Sequence, residues 1–534
     1  MTIKSIFFAC TFLILMKPSL GQNTEISKRK LATPNKERLA YDVNHYNLNL
    51  TVNPTNKYIA GWVDIHFSWV NTMHHIGFDL DDALLIDKVL YNNKEVAFKR
   101  TPKTREVLVE IEQPGDSLDQ GILSEYYGGQ PQEALNAPWD GGFSWKKDQE
   151  NRDWVGVSCE GDGASVWWPN KDLLSDEPDS VTFTCRYPSE LFFVANGDMQ
   201  NDLIEGESRT TTWKTTLPIN NYNVTLNLGH YSHIEKEYKR DNSTVLRLDY
   251  YVLDYNKAKA EKHFTIVEPM MQIFEEAFGE YPFSNDGYAL IETPYLGMEH
   301  QSAIAYGNKY LPGYLGRFPK NMDFDFIVIH ETGHEWWGNS VSMKDRADMW
   351  IHESFCTYSE AIFAEQYYGY EDMLDYLVYQ KRLITHKGPI QGVPHTHESG
   401  YGTEIYYKGS WVLHTLRNMV RNDKLWFGMI KDLAKKHRID IVEGKEVKAF
   451  MSEYLNMDLN SFFDLYFNST NIPKVVYKKG KDLKIKLDKD YGFELPIEID
   501  GKIYMLSHKW IKINGISKTD LQTYLHRRFL IEVD

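Results

Sequence analysis

The chain has 534 residues, 42% hydrophobic and 25% charged, a composition that excludes wholesale disorder and is too long for one ordinary core. Its net charge of −16 speaks against nucleic acid as a partner and favours cationic ligands such as a protonated amine. Aromatic residues make up 14%, with 34 Tyr and 14 Trp, in keeping with a sheet-rich part and a large cleft.

The N-terminus reads as an export signal over residues 1–21: a positive start at Lys4, an apolar stretch from Ile6 to Met16, and the small residues Ser19 and Gly21 before Gln22. That stretch is too short to span a bilayer, and no other run is apolar enough, so no integral membrane segment is expected once the signal is removed. The expected location is periplasmic or secreted. Cys10 leaves with the signal, and the odd remainder, Cys159, Cys185 and Cys356, argues against a disulfide-stapled scaffold while allowing one Cys159–Cys185 bridge.

Residues 24–238 read as strands. Tyr46, Leu48, Leu50 and Val52 alternate with polar residues, and Ile59, Val63, Ile65 and Phe67 continue the period after the turn chemistry of Asn53-Pro54-Thr55-Asn56. Within this region Ser158-Cys159-Glu160-Gly161-Asp162-Gly163 is a Gly-rich acidic loop, which on the residues alone is a turn.

From 239 the pattern is expected to turn helical. Lys257 to Phe278 reads as a helix stopped by Gly279, and residues 289–305 as a strand edge holding Gly297-Met298-Glu299-His300. Then comes His330-Glu331-Thr332-Gly333-His334. Residues four apart share a helix face, so two imidazoles present themselves to one cation, and Glu331 between them is placed to act on a water. A second helix, read from Asp348 as N-cap to Gly369 as stop, carries Glu353, the obvious third ligand. Glu360 lies two turns further along it, either orienting a ligand histidine or standing as an ordinary surface carboxylate. Further helices are read over 407–421, from Asp423 as cap, over 445–456 and over 459–468; beyond Pro473 the alternation of Leu483-Lys484-Ile485-Lys486-Leu487 announces a small β domain over 473–534.

The spacing His330-Glu331-x-x-His334-x18-Glu353, followed by Trp337-Gly338-Asn339, resembles the zinc signature of the M1 family of aminopeptidases. Leu296-Gly297-Met298-Glu299-His300 resembles that family's Gly-x-Met-Glu-Asn exopeptidase motif with both end positions changed, and Tyr406-Tyr407-Lys408-Gly409 its Tyr-x-Lys-Gly. The chain also departs from the usual letters at Glu335 for Gln, Trp337 for Phe, His352 for Asn and Ser354 for Gly.

The resemblance implies a multidomain α+β protein: an N-terminal β saddle over 24–238, a thermolysin-like helical catalytic domain over 239–470, and the small C-terminal β domain. It further implies one Zn²⁺ on His330, His334 and Glu353, with Glu331 as general base and Tyr406 stabilising the oxyanion. Substrate binding falls to Gly297, Met298 and Glu299, with Glu160 of the acidic loop as a second carboxylate on the substrate's α-amine. The substrates implied are peptides with a free N-terminus. Longer members continue into a helical domain that closes over the site; this chain is expected to be a short form with a more open cleft. Two rival readings are a thermolysin-like zinc endopeptidase, which needs no amine anchor, and a peptide-binding protein with a relict site.

Overall fold

The computed structural model describes residues 33–101, 104–240, 243–319, 322–396, 398–478 and 483–533. The export signal read over residues 1–21 lies outside the described residues.

An N-terminal β-rich part comes first. Strand Tyr41–Asn53 is central in an eight-stranded sheet, pairing antiparallel with Tyr58–Trp69 and parallel with Ser180–Pro188. The alternation read in the sequence is what builds it: Tyr46, Leu48, Leu50 and Val52 are buried, while Asn47, Asn49 and Thr51 face outward. Four-stranded and three-stranded sheets pack against the inner face, and all three share one apolar core that includes Trp69, Trp167, Trp168 and Phe183. The acidic loop leaves strand Asp153–Ser158, so its Glu160 is carried at the end of a sheet rather than on a free surface turn.

A five-stranded sheet follows, in the order Tyr231–Lys239, Val245–Leu253, Tyr288–Glu292, Ile304–Tyr306, Gly297–Met298. Two expectations change here. The strand ending at Lys239 pairs with Val245–Leu253 and not with the N-terminal sheets, and residues 245–253 are strand, not helix. Their exposed-buried pattern gives way to six buried residues in a row, Leu248 to Leu253, because this strand is interior to the sheet. The short strand Gly297–Met298 is an edge, antiparallel to Ala305 and Tyr306.

The helices pack on this sheet around a second apolar core. Helix Phe326–Gly333 carries the first histidine pair, and Asp325 caps it by accepting from Ile327 N (2.9 Å) and Val328 N (3.3 Å). Asp325 also accepts from Tyr306 OH, Asn308 Nδ2 and His263 Nε2, which ties the cap to the sheet and to helix Lys257–His263. Helix Trp350–Tyr367 lies alongside, followed by Tyr370–Lys381, Tyr407–Val420, Asp423–Lys436, Gly444–Leu455 and Asn460–Asn468. Two expected caps are displaced. Asp348 ends a 3-10 turn capped by Asp345 and instead accepts from Gly444 N and Gln391 Nε2; Asn422, not Asp423, caps its helix, leaving Asp423 to pair with Arg417.

The C-terminal part carries four- and two-stranded sheets with a third core, and is not all β: helix Lys518–Arg528 packs into it. The chain then returns to the helices. Lys381 Nζ donates to the carbonyls of His526 and Phe529, and Leu530 N donates to Thr415 Oγ1. Cys159, Cys185 and Cys356 are buried free thiols, so the Cys159–Cys185 bridge does not form.

Candidate active site

The two histidines lie at the end of a short buried helix, and their ring orientation is fixed from behind. His330 Nδ1 donates to Glu360 Oε1 at 2.7 Å, and His334 Nδ1 donates to the Trp337 carbonyl at 3.0 Å. In the neutral rings that a metal requires, both Nε2 atoms then offer lone pairs, and they stand 3.2 Å apart. Glu353 adds a third acceptor: its Oε2 is 3.4 Å from His330 Nε2 and 3.6 Å from His334 Nε2, and it is buried with no hydrogen-bond donor.

Three converging acceptors without a donor repel unless a cation joins them. A tetrahedral zinc with bonds of about 2.0–2.1 Å holds its ligand atoms about 3.3–3.4 Å apart, so the observed spacing and donor set fit that ion. Of the two readings of Glu360, the one that orients a histidine fits: it is buried, Oε1 accepts from His330 Nδ1, and Oε2 is met by the Tyr376 hydroxyl and by Gln380 Nε2 at 3.0 Å. Carboxylates in this position behind a ligand histidine set its tautomer and raise its basicity.

Glu331 lies at the same helix end, against the edge strand, with a carboxylate oxygen within 4.8 Å of ring and carboxylate atoms of His334 and Glu299. A methyl group on Gly297 would stand 2.6 Å from Glu331 Oε1 and 2.8 Å from Ile327, so only glycine lets the strand run this close. Burial first, opposed by His330 and aided by Glu299 and Glu353, pushes the Glu331 carboxyl up to about 8. A divalent cation beside it works in the opposite direction. Met298, next along the strand, is buried against the N-terminal core.

Tyr406 immediately precedes its helix and stacks on His330, with ring centroids 6.1 Å apart. Burial, then the charge of Glu353, raises its pKa well above the usual phenol range, so it is a proton donor. For the neighbouring Tyr407, burial and then the charge of Glu360 rather than Glu353 lead in raising the pKa. Ser354, where the resembling motif has glycine, donates to the Ile405 carbonyl at 2.6 Å and so fixes the residue before Tyr406. Gly409 makes room for it, since a Cβ there would lie 1.8 Å from Ser354 Oγ.

Glu299 and Glu160 meet this cluster from the sheet side. Glu299 Oε2 is 3.3 Å from His334 Nε2, and carboxylate oxygens of Glu160, Glu299 and Glu353 all lie within 4.8 Å of one another. Burial and then the charge of Glu299 push the Glu160 carboxyl well up, while Arg346, which donates to the Glu160 carbonyl at 2.8 Å, opposes this. Crowded carboxylates inside a pocket are short of positive charge, and an ammonium supplies it. The structure thus gathers Glu160, Gly297, Glu299, His330, Glu331, His334, Glu353 and Tyr406 around one point.

Four further residues shape the pocket, and of these Tyr222 carries no sequence signal of its own. The Tyr222 hydroxyl, from the N-terminal part, donates to Glu299 Oε1 at 2.6 Å. Asn339, seen in the sequence only as part of a motif, donates to the Glu299 carbonyl and accepts from Asn223. Glu335 receives Ser302 N at 2.9 Å and Tyr281 OH at 3.0 Å, holding the turn that follows Glu299. His300, one of the changed motif positions, is wholly buried with both ring nitrogens unpartnered, and burial drives its pKa down to about 3.

An N-terminal β-rich part against a helical part carrying an HExxH–Glu cluster is the architecture of a gluzincin-type metallopeptidase. The peptidase family M1 domain matches residues 263–466, and the peptidase M1 N-terminal domain matches residues 42–222. The chain belongs to peptidase family M1. Aminopeptidase N of Lactococcus lactis subsp. lactis is 24% identical over 84% of this chain and 53% of its own, and a probable aminopeptidase 1 of Sulfurisphaera tokodaii is 22% identical over 58% and 42%. The chain thus spans about half the length of the curated relatives it matches. Among solved structures, a mutant M1 zinc metallopeptidase from Deinococcus radiodurans bound to a Tyr-Ser-Ala substrate superposes with a TM-score of 0.66 at 19% identity, over 81% of this chain and 95% of that one. A two-domain M1 zinc metallopeptidase mutant bound to L-tryptophan gives 0.69 at 19% identity, over 83% and 97%. Among the described residues no helix is long and apolar enough to cross a membrane.

Proposed function

We propose that the protein is a zinc aminopeptidase that removes the N-terminal residue of peptides. The observation that carries this reading is the placement of Glu299 and Glu160 beside the His330–His334–Glu353 cluster. An ammonium held between those carboxylates leaves only the first peptide bond within reach of the ion.

His330, His334 and Glu353 would hold one Zn²⁺. Bound there, zinc supplies Lewis acidity, polarising a carbonyl and acidifying a water. Glu331 takes a proton from the attacking water at its carboxylate and returns it to the leaving amine nitrogen as the C–N bond breaks. The Tyr406 hydroxyl donates to the carbonyl oxygen as negative charge develops on it, a contact that counts most in the transition state. Glu299 and Glu160 hold the ammonium, and Gly297 keeps the edge strand against Glu331, while Met298 packs behind it in the N-terminal core.

The test is a panel of amino-acid anilides, each paired with its N-acetyl derivative, assayed with and without a chelator. Chelator-sensitive cleavage confined to the free amines is expected. Equal cleavage of acetylated partners would instead indicate an endopeptidase. Activity that ignores the chelator would remove the metal from the account.

The reading extends to export. The positive, apolar and small-residue order over residues 1–21 supports a cleaved leader and a periplasmic or secreted enzyme. The intact mass of the protein recovered from periplasm or medium tests this, and an uncleaved mass contradicts it.

A further inference from the structure

Glu299 is useful as an amine anchor only if one oxygen faces the incoming ammonium in a fixed direction, and a glutamate has several rotatable bonds with which to avoid this. The pocket restrains the other oxygen. The Tyr222 hydroxyl donates to Glu299 Oε1 at 2.6 Å, and Tyr222 is itself buried on the turn Asn221–Asn223, whose cap is Asn220. Burial and then the nearby charge of Glu299 keep this phenol protonated, so it stays a donor.

A second donor aims at the same atom. Met343 N donates to His352 Nε2 at 2.9 Å, so Nε2 is the acceptor nitrogen and the ring proton sits on Nδ1. That Nδ1 is buried, has no other partner and lies 3.6 Å from Glu299 Oε1. At 3.6 Å this is an N–H dipole facing the carboxylate rather than a full hydrogen bond, so the Tyr222 hydroxyl is the main restraint and His352 the lesser one. Gly338 closes the pocket around the pair: a Cβ there would meet His334 Nδ1 at 3.1 Å, His352 Nδ1 at 3.3 Å and Glu299 Oε1 at 3.4 Å.

We propose that Tyr222, backed by His352, is a positioning residue for amine recognition: the two donors engage Oε1 of Glu299 and leave Oε2 to the substrate ammonium. The inference rests on the aminopeptidase reading above. It makes the N-terminal part a working component of the site, because Tyr222 also ties down the Glu160 loop: Cys159 Sγ donates to the Tyr222 carbonyl at 3.4 Å. The adjoining Asn223 reaches Asn339, which holds the Glu299 carbonyl. One turn of the β-rich part thereby sets both amine-binding carboxylates.

The experiment measures kcat and KM separately on a free-amine anilide and binding of the matching free L-amino acid by calorimetry, in zinc-loaded protein. Tyr222→Phe removes only the hydroxyl. It is expected to raise KM and weaken amino-acid binding about 10-fold, the size of a hydrogen bond to a charged group, with kcat within a few-fold of wild type. At position 352, asparagine can place a donor where Nδ1 lies, whereas glutamine can keep the acceptor for Met343 N but offers Glu299 nothing. His352→Gln is therefore expected to raise KM more than His352→Asn does. Zinc content and Tm show whether each variant is folded and loaded.

If Tyr222→Phe leaves KM and amino-acid affinity unchanged while wild type still rejects acetylated substrate, the positioning role is wrong and the aminopeptidase reading stands. A loss in kcat alone also overturns positioning, since it places Tyr222 in the chemical step. Wild-type enzyme that accepts acetylated substrate equally overturns both.

Discussion

The proposed metal cluster and the proposed amine pocket are neighbours in space and opposites in construction. His330, His334 and Glu353, the proposed ligands, come from two adjacent helices, and the two histidines are oriented from the helical side, by Glu360 and by the Trp337 carbonyl. The amine pocket draws Glu160 and Tyr222 from the β-rich part, Glu299 from beside an edge strand and His352 from the Glu353 helix. A local cluster is set by helix geometry and survives small shifts between domains. A pocket shared between two parts depends on their docking, so its failures should appear in substrate affinity before they appear in metal content or chemistry.

Substitutions should separate the two regions in graded steps. The largest effect is expected at Glu331→Gln, which leaves all three acceptors in place: zinc is retained, and kcat falls roughly 10²–10⁴-fold. Metal analysis beside single-turnover rates checks this, and loss of zinc would show that Glu331 also supports the cluster. Tyr406→Phe should follow, lowering kcat about 10²–10³-fold with KM little changed. Glu360→Gln acts on the metal side alone, weakening zinc affinity about 10–100-fold in a chelator competition while sparing discrimination between free and acetylated substrates.

The smallest effect lies outside both regions. Glu125 is wholly buried in the N-terminal core with neither carboxylate oxygen partnered, and burial, then Asp64, raises its pKa well above the usual carboxylate value. A carboxyl whose folded pKa is raised contributes stability below its unfolded pKa and loses it as pH rises through the folded value. Thermal stability should therefore fall from about pH 5 upward, and Glu125→Gln should flatten that decline by a few degrees, the shift of about 1 kcal/mol in a region this size. Activity should not change.

What the sequence made legible follows the same division. The four-residue spacing of His330 and His334 is a helix spacing, so residue order already encodes how the two proposed ligands and Glu331 lie together, whereas Glu353 and Tyr406 come from other helices and were marked only by the resembling motifs. Strand alternation from Tyr46 to Phe67 was equally readable, because one face is core and the other water. Harder cases had non-local causes. Val245–Leu253 loses its alternation by being buried on both faces, and Asp348 resembles a cap in sequence but is claimed by Gly444 and Gln391 from elsewhere in the fold. Glu360 could be read two ways until the packing of the Tyr376 helix showed it covered. Tyr222 is one tyrosine among 34, and only its contact with Glu299 across a domain boundary distinguishes it.

The central claim is that an amine-binding carboxylate stands beside a zinc cluster and restricts the enzyme to the first peptide bond. The most direct measurement is the ratio of kcat/KM for a free-amine anilide to that for its N-acetyl counterpart, in wild type and in Glu299→Gln, both zinc-loaded. A large ratio that falls steeply towards one when the Glu299 charge is removed is the predicted result. A wild-type ratio near one, or a large ratio that Glu299→Gln leaves intact, would contradict the account.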